Sequence, residues 1–172
     1  MNTLIIGGSS TFGKEIAGEL ALSGHNLLVS FFNKESKDKL EKLAELSKKN
    51  KKNIFFEQLD IKDESQIDKV TKLNQMKFSN LVYSVGTGIN FKKIDEIDGE
   101  DLEEQFNVHV AGLWRVVNKL LQKGHPLKSI LVIGSSCLFG TPPPRLSSYT
   151  VGKYGQLGLV KCLGGANARV GS

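Results

Sequence analysis

The chain is poor in cysteine and proline and has no long apolar run. Its only two cysteines, Cys137 and Cys162, stand far apart and lack metal-ligand spacing. That excludes a cysteine-based metal site, and both thiols, set in apolar contexts, are expected to be buried and reduced. Three of the four prolines form the run Pro142-Pro143-Pro144, which stiffens a loop but marks no domain boundary. There are no internal repeats, linkers or low-complexity segments. No apolar run reaches the roughly 18 residues that a membrane helix needs. Met1 is followed almost at once by Leu4-Ile5-Ile6. That strand-like start leaves no room for a signal peptide and predicts a cytoplasmic protein.

What is present fits one soluble domain over residues 1–172, with 40% hydrophobic and 24% charged residues. The net charge of +5 raises the question of nucleic acid. Much of the excess is local: Lys48, Lys49, Lys51 and Lys52 surround Asn50, and the preceding lysines alternate with Glu35, Asp38, Glu41 and Glu45. A solvated helix and its exit turn account for this pattern without a phosphate groove. Attraction of a phosphorylated cofactor stays open.

Apolar runs alternate with amphipathic stretches. Strands are predicted at 4–6, 27–32, 54–59, 81–85 and 130–133. Helices are predicted at 14–22, 37–47, 65–73, 101–122 and 148–163, the third capped by Asp63 or Ser65. Strand and helix in strict alternation imply right-handed crossovers and a parallel sheet covered on both faces.

Two places carry chemistry. Gly7-Gly8-Ser9-Ser10-Thr11-Phe12-Gly13 joins the first strand to the first helix. In an open parallel sheet that turn binds phosphates, because glycines admit the backbone and the helix start offers free N–H groups. Gly8 to Lys14 nearly completes a Walker A loop, but Glu15 stands where Ser or Thr must hold magnesium. The second place is Ser136, Tyr149 and Lys153. Tyr149 and Lys153 lie one turn apart on one helix face. A neighbouring ammonium favours the phenolate, so Tyr149 can exchange a proton with a substrate oxygen that Ser136 polarises.

Together these features resemble the short-chain dehydrogenase/reductase family throughout the chain. The glycine loop is similar to T-G-x-x-x-G-x-G, with Gly7 and Gly13 as the outer glycines, Thr11 in place of the middle one and Ile6 in place of the threonine. The strand ending Ile133-Gly134-Ser135-Ser136 matches the family's fifth strand and serine. The resemblance implies a Rossmann-like three-layer αβα sandwich with about five of the usual seven strands. It implies an NAD(P)-dependent oxidoreductase that interconverts a carbonyl and an alcohol. It places cofactor at Gly7, Ser9, Ser10, Thr11, Phe12 and Gly13, at Asn33 and Lys34, at Asp60 and Ile61 beside adenine, at Ser84, Val85 and Gly86, and at Tyr149 and Lys153. Lys153 would hold the nicotinamide ribose. Asp63 competes with Asp60 for the adenine position. The family's Asn-Asn-Ala-Gly is Tyr83-Ser84-Val85-Gly86 here, and His109 stands in place of the active-site asparagine. His109 either supports a water relay or packs as an ordinary helix histidine.

The second strand leads into Ser30-Phe31-Phe32-Asn33-Lys34, without the acid that binds the free 2′-hydroxyl of NAD. NADP is therefore expected ahead of NAD. Similar proteins form homodimers or homotetramers through the helices here at 101–122 and 148–163, and Leu113, Trp114 and Val117 are interface or core candidates. Relatives continue into two further strands and a substrate lid. The chain stops nineteen residues after Lys153, and residues 167–172 resemble the start of a sixth strand, so a fragment is expected. A non-catalytic dinucleotide-binding module is the alternative, favoured by Thr11, Tyr83-Ser84 and His109. The remaining alternative is a magnesium-dependent NTPase.

Overall fold

A computed structural model describes residues 1–50 and 53–167. Lys51 and Lys52 of the basic cluster, and residues 168–172 of the sixth-strand resemblance, lie outside them. The chain forms two compact units, one of Met1–Gly86 with Arg115–Ile133, the other of Thr87–Trp114 with the residues from Gly134 onward.

The first unit holds a parallel sheet of β1 (Asn2–Ile6), β2 (Asn26–Phe31), β3 (Ile54–Gln58), β4 (Asn80–Tyr83) and β5 (Ser129–Val132). Their order is β3-β2-β1-β4-β5. The register lines up Phe56, Val29, Ile5, Val82 and Leu131 across all five strands. The helices are α1 (Thr11–Leu22), α2 (Lys34–Asp38), α3 (Glu41–Asn50), α4 (Glu64–Lys72), α5 (Gly99–Phe106), α6 (Gly112–Gln122) and α7 (Ser147–Asn167).

Side-chain alternation divides the strands between two faces. Ile5, Leu27, Val29, Phe31 and Val82 pack with Ala17 and Ala21 of α1 and with Leu40 and Leu43 around the start of α3. Leu4, Ile6, Leu28, Leu81 and Tyr83 turn to the opposite face and are equally buried, as are Ile67 and Val70 of α4 and Val116 and Leu120 of α6. Ion pairs to Asp68 from Lys119 of α6 and from Lys123, just past its end, tie this segment to α4. The expected α/β Rossmann-like architecture is the observed one. Among the described residues β5 pairs on one side only, and its Leu131 is 45% exposed.

The helix predicted at 37–47 is two helices. Asn33 caps α2, its Oδ1 accepting from the Ser36 N–H at 2.9 Å. A turn then buries Leu40, whose N–H donates to the Lys37 carbonyl. The helix predicted at 101–122 begins earlier, at a capping box of Asp98 and Asp101, and contains a π-helical turn at Asn107–Ala111. One further expectation needs correction, and another divides between its two alternatives. Cys137 is buried but Cys162 is exposed. Leu113 and Val117 are core residues, whereas Trp114 is exposed.

Candidate active site

In the first unit, the glycine loop is built by close packing. Gly7 has φ +78°, and a Cβ there would stand 2.6 Å from the Ser84 carbonyl oxygen. A Cβ on Gly13 would meet the Gly7 oxygen at 2.4 Å. Neither position admits a side chain, so the loop backbone folds directly onto the ends of β1 and β4. Serines replace the missing side chains as partners. Ser30 Oγ accepts from the Gly7 N–H at 3.1 Å. Ser10 caps α1, its Oγ accepting from the Gly13 N–H at 3.0 Å, and lies 2.7 Å from Ser84 Oγ. Ser84 thus helps fix the loop. The first N–H groups of a helix have no intrahelical acceptor. Thr11 and Phe12, both exposed, therefore present theirs at the positive end of α1.

Further along the strand ends, Lys34 is exposed at the start of α2. Lys34 and Lys37 edge a groove of about 560 Å³ floored by Phe31, Leu40, Ala44 and Phe56. Lys37 Nζ lies 5.7 Å from the Phe31 ring centre. Asp60 accepts the Lys62 N–H at 2.9 Å. Asp63 caps α4 through the Ser65 and Gln66 N–H groups, which leaves Asp60 the freer of the two carboxylates. Ile61 is buried, Val85 half-buried and Gly86 exposed.

The second unit brings His109, Tyr149 and Lys153 together. α7 packs on α5, on the π-helical turn and on a 3-10 turn at Ser136–Leu138. Ser136 opens that 3-10 turn, where it is exposed. Tyr149 and Lys153 share the buried face of α7, with Lys153 Nζ 5.9 Å from the Tyr149 ring centre. The His109 ring stands edge-on to Tyr149, 5.6 Å between centres at 81°. Gly152 lets the helices meet, since a Cβ there would be 2.9 Å from Gln105 Cβ and 3.2 Å from His109 Cδ2.

Electrostatics follow from this burial. His109 is fully buried, and neither ring nitrogen has a hydrogen-bond partner among the described residues. Burial, and then the Lys153 charge, push its pKa down to about 4. The ring is neutral at pH 7, with one donor and one acceptor. Burial also lowers Lys153 to about 8, against a smaller opposing effect of Cys137.

Residues 1–170 match the family described as short chain dehydrogenase. The chain belongs to that family. An uncharacterized oxidoreductase of Saccharomyces cerevisiae is 23% identical over 163 residues, which are 93% of this chain and 50% of that protein. One of Bacillus subtilis is 27% identical over 161 residues, 93% of this chain and 66% of its own length. The chain thus spans half to about two thirds of these curated relatives. An alcohol dehydrogenase from the archaeon Thermococcus sibiricus, solved with 5-hydroxy-NADP, superimposes with TM-score 0.83 at 26% identity. That alignment covers 97% of this chain and 71% of the archaeal one.

Within the family frame, two features of the second unit escaped the sequence reading. The π-helical turn around His109 leaves no mark in residue spacing, though such turns recur at functional sites. Gln156 also joins the cluster, where Lys153 Nζ donates to its Oε1 at 2.9 Å. Its signal was available, because 149, 153 and 156 share one helical face.

Proposed function

We propose that the chain is a single NAD(P)-binding domain of an oxidoreductase that interconverts a carbonyl and an alcohol, with Tyr149 as general acid and base. The observation that carries this reading is the packing of Tyr149, Lys153 and a neutral His109 into one half-buried cluster, with the tyrosine still reachable. A bound nicotinamide dinucleotide supplies or accepts the hydride. The cradle at Gly7 and Gly13 fits such a group, since side chains there are excluded and the start of α1 offers N–H groups to a pyrophosphate. Gly7, Ser9, Ser10, Thr11, Phe12 and Gly13 would hold the phosphates. Asn33 and Lys34 would face the adenosine ribose, Asp60 and Ile61 the adenine, and Ser84, Val85 and Gly86 the nicotinamide half. The missing acid after β2 and the exposed Lys34 support NADP ahead of NAD.

The proton chemistry belongs to the chain itself. Ser136 donates to the substrate oxygen and polarises it. Tyr149 delivers or removes the proton there, and the Lys153 ammonium stabilises the phenolate left behind. Lys153 would also hold the nicotinamide ribose. His109, with one donor and one acceptor, suits relay of a proton through water. Exposed Phe106, Trp114, Val151 and Tyr154 on α5, α6 and α7 support a homodimer or homotetramer through these helices.

NADPH fluorescence titration followed by a panel of ketones tests the reading. Tyr149→Phe is expected to lower turnover by about 10²–10⁴-fold while NADPH still binds. Retained turnover removes Tyr149 from the mechanism. Failure to bind either NADPH or NADH defeats the dinucleotide reading. Binding without turnover of any ketone favours the non-catalytic module, which Thr11 and the serine in place of asparagine at Ser84 support.

A further inference from the structure

Lys153 is held by a residue that packing alone does not explain. Tyr149, Lys153 and Gln156 fall on one face of α7, and both Lys153 and Gln156 are almost wholly buried, at 3% and 2% exposure. Lys153 Nζ donates to Gln156 Oε1 at 2.9 Å. An ammonium has donors only, so the amide must turn its oxygen toward it. That orientation strands Gln156 Nε2, which is buried without a partner among the described residues. An unsatisfied buried donor destabilises a fold, and an apolar side chain of similar size at this position would carry no such penalty. The titratable groups facing Lys153 include the Tyr149 phenol on its own helix, the neutral His109 imidazole from the π-helical turn and the Cys137 thiol from the 3-10 turn. Burial works against the charge that the proposed mechanism needs.

We propose that Gln156 is a positioning residue: its carbonyl oxygen fixes the Lys153 side chain along α7 and favours the ammonium form beside Tyr149. Its importance for catalysis rests on the role given to Lys153 above, but the contact itself can be tested without cofactor. The bond acts through Lys153 and touches no reacting atom. Removing the acceptor makes the ammonium easier to discharge, and replacing it with a carboxylate makes it harder.

The test is NMR titration of the full chain carrying ¹³C-labelled lysine, with the Lys153 signal assigned from its loss in Lys153→Arg. Gln156→Leu is expected to lower the titration midpoint by about one pH unit, and Gln156→Glu to raise it by a similar amount. A residue that merely fills space would not move the midpoint in opposite directions. Equal midpoints in the parent and both folded variants overturn the proposal. If Gln156→Leu fails to fold, Gln156→Glu and Gln156→Met provide the same comparison. An NADPH titration of the parent reports separately on the dinucleotide reading, since the midpoints are measured without cofactor. Where NADPH binds, Gln156→Leu is expected to weaken it more at pH 8.5 than at pH 6.5; an equal effect at both overturns the link to Lys153.

Discussion

His109 stores a pH dependence in one side chain. Its proton affinity is lower in the folded chain than in the unfolded one, with a pKa of about 4 against an ordinary 6.5. Between those values the unfolded chain binds more protons, so stability rises with pH across the window and is fully present above it. On acidification, stability falls by roughly 3 kcal/mol through this group. His125 acts in the same direction, its Nδ1 accepting the Phe78 N–H at 3.0 Å and its proton affinity lowered mainly by burial. Urea denaturation of His109→Phe from pH 4 to 7 is expected to show a shallower pH slope than the parent; an identical slope would remove His109 as the source. At this scale the sequence was informative where chemistry depends on spacing along one helix. Tyr149 and Lys153 stand out that way, and Ser136, which lies outside that helix, by its offset from Tyr149. Gly152 does not, because it matters through α5, where an added Cβ would stand 2.9 Å from Gln105 Cβ; Gln156 shares the face of Tyr149 and Lys153, but its tie to Lys153 Nζ is a contact that spacing alone does not specify.

The elements were legible by type and less so by boundary. Alternating apolar runs located all five strands, since a parallel sheet buried on both faces requires them. The break between α2 and α3 was hidden because the charge pattern continues across Leu40, the residue whose burial ends the first helix. Caps separate better than periodicity does. Asp63 accepts N–H groups from Ser65 and Gln66, which identifies it as the start of α4 and leaves Asp60 outside the cap. Asp63→Ala is expected to destabilise the chain by about 1 kcal/mol, and Asp60→Ala to affect NADPH affinity more than melting. Parallel thermal melts and NADPH titrations of the two variants check the division; the reverse pattern would reassign the two aspartates.

Across the whole molecule, the sheet and its covering helices were readable, but the partition of the chain was not. Residues 115–133 belong with the first 86, and nothing in composition marks that return. A ligand that binds only the folded state stabilises it by about 2.7 kcal/mol at a hundredfold excess over its Kd. NADPH is therefore expected to raise the melting temperature more than NADH does at equal concentration. A larger shift with NADH would reverse the cofactor preference drawn from Lys34 and the missing acid.

Among the described residues β5 is unpaired on one side, which bears on how copies of this chain would meet. A free strand edge exposes a row of N–H and C=O groups that a further strand can extend, and Leu131 adds apolar surface beside it. Addition of β5 to the β3 edge of another copy is head-to-tail and need not close, whereas pairing of like surfaces, helix face on helix face, is self-complementary and stops at a fixed stoichiometry. The two routes give different records on dilution. One is a finite species that dissociates reversibly, and the other is a distribution of sizes that lengthens with concentration and time.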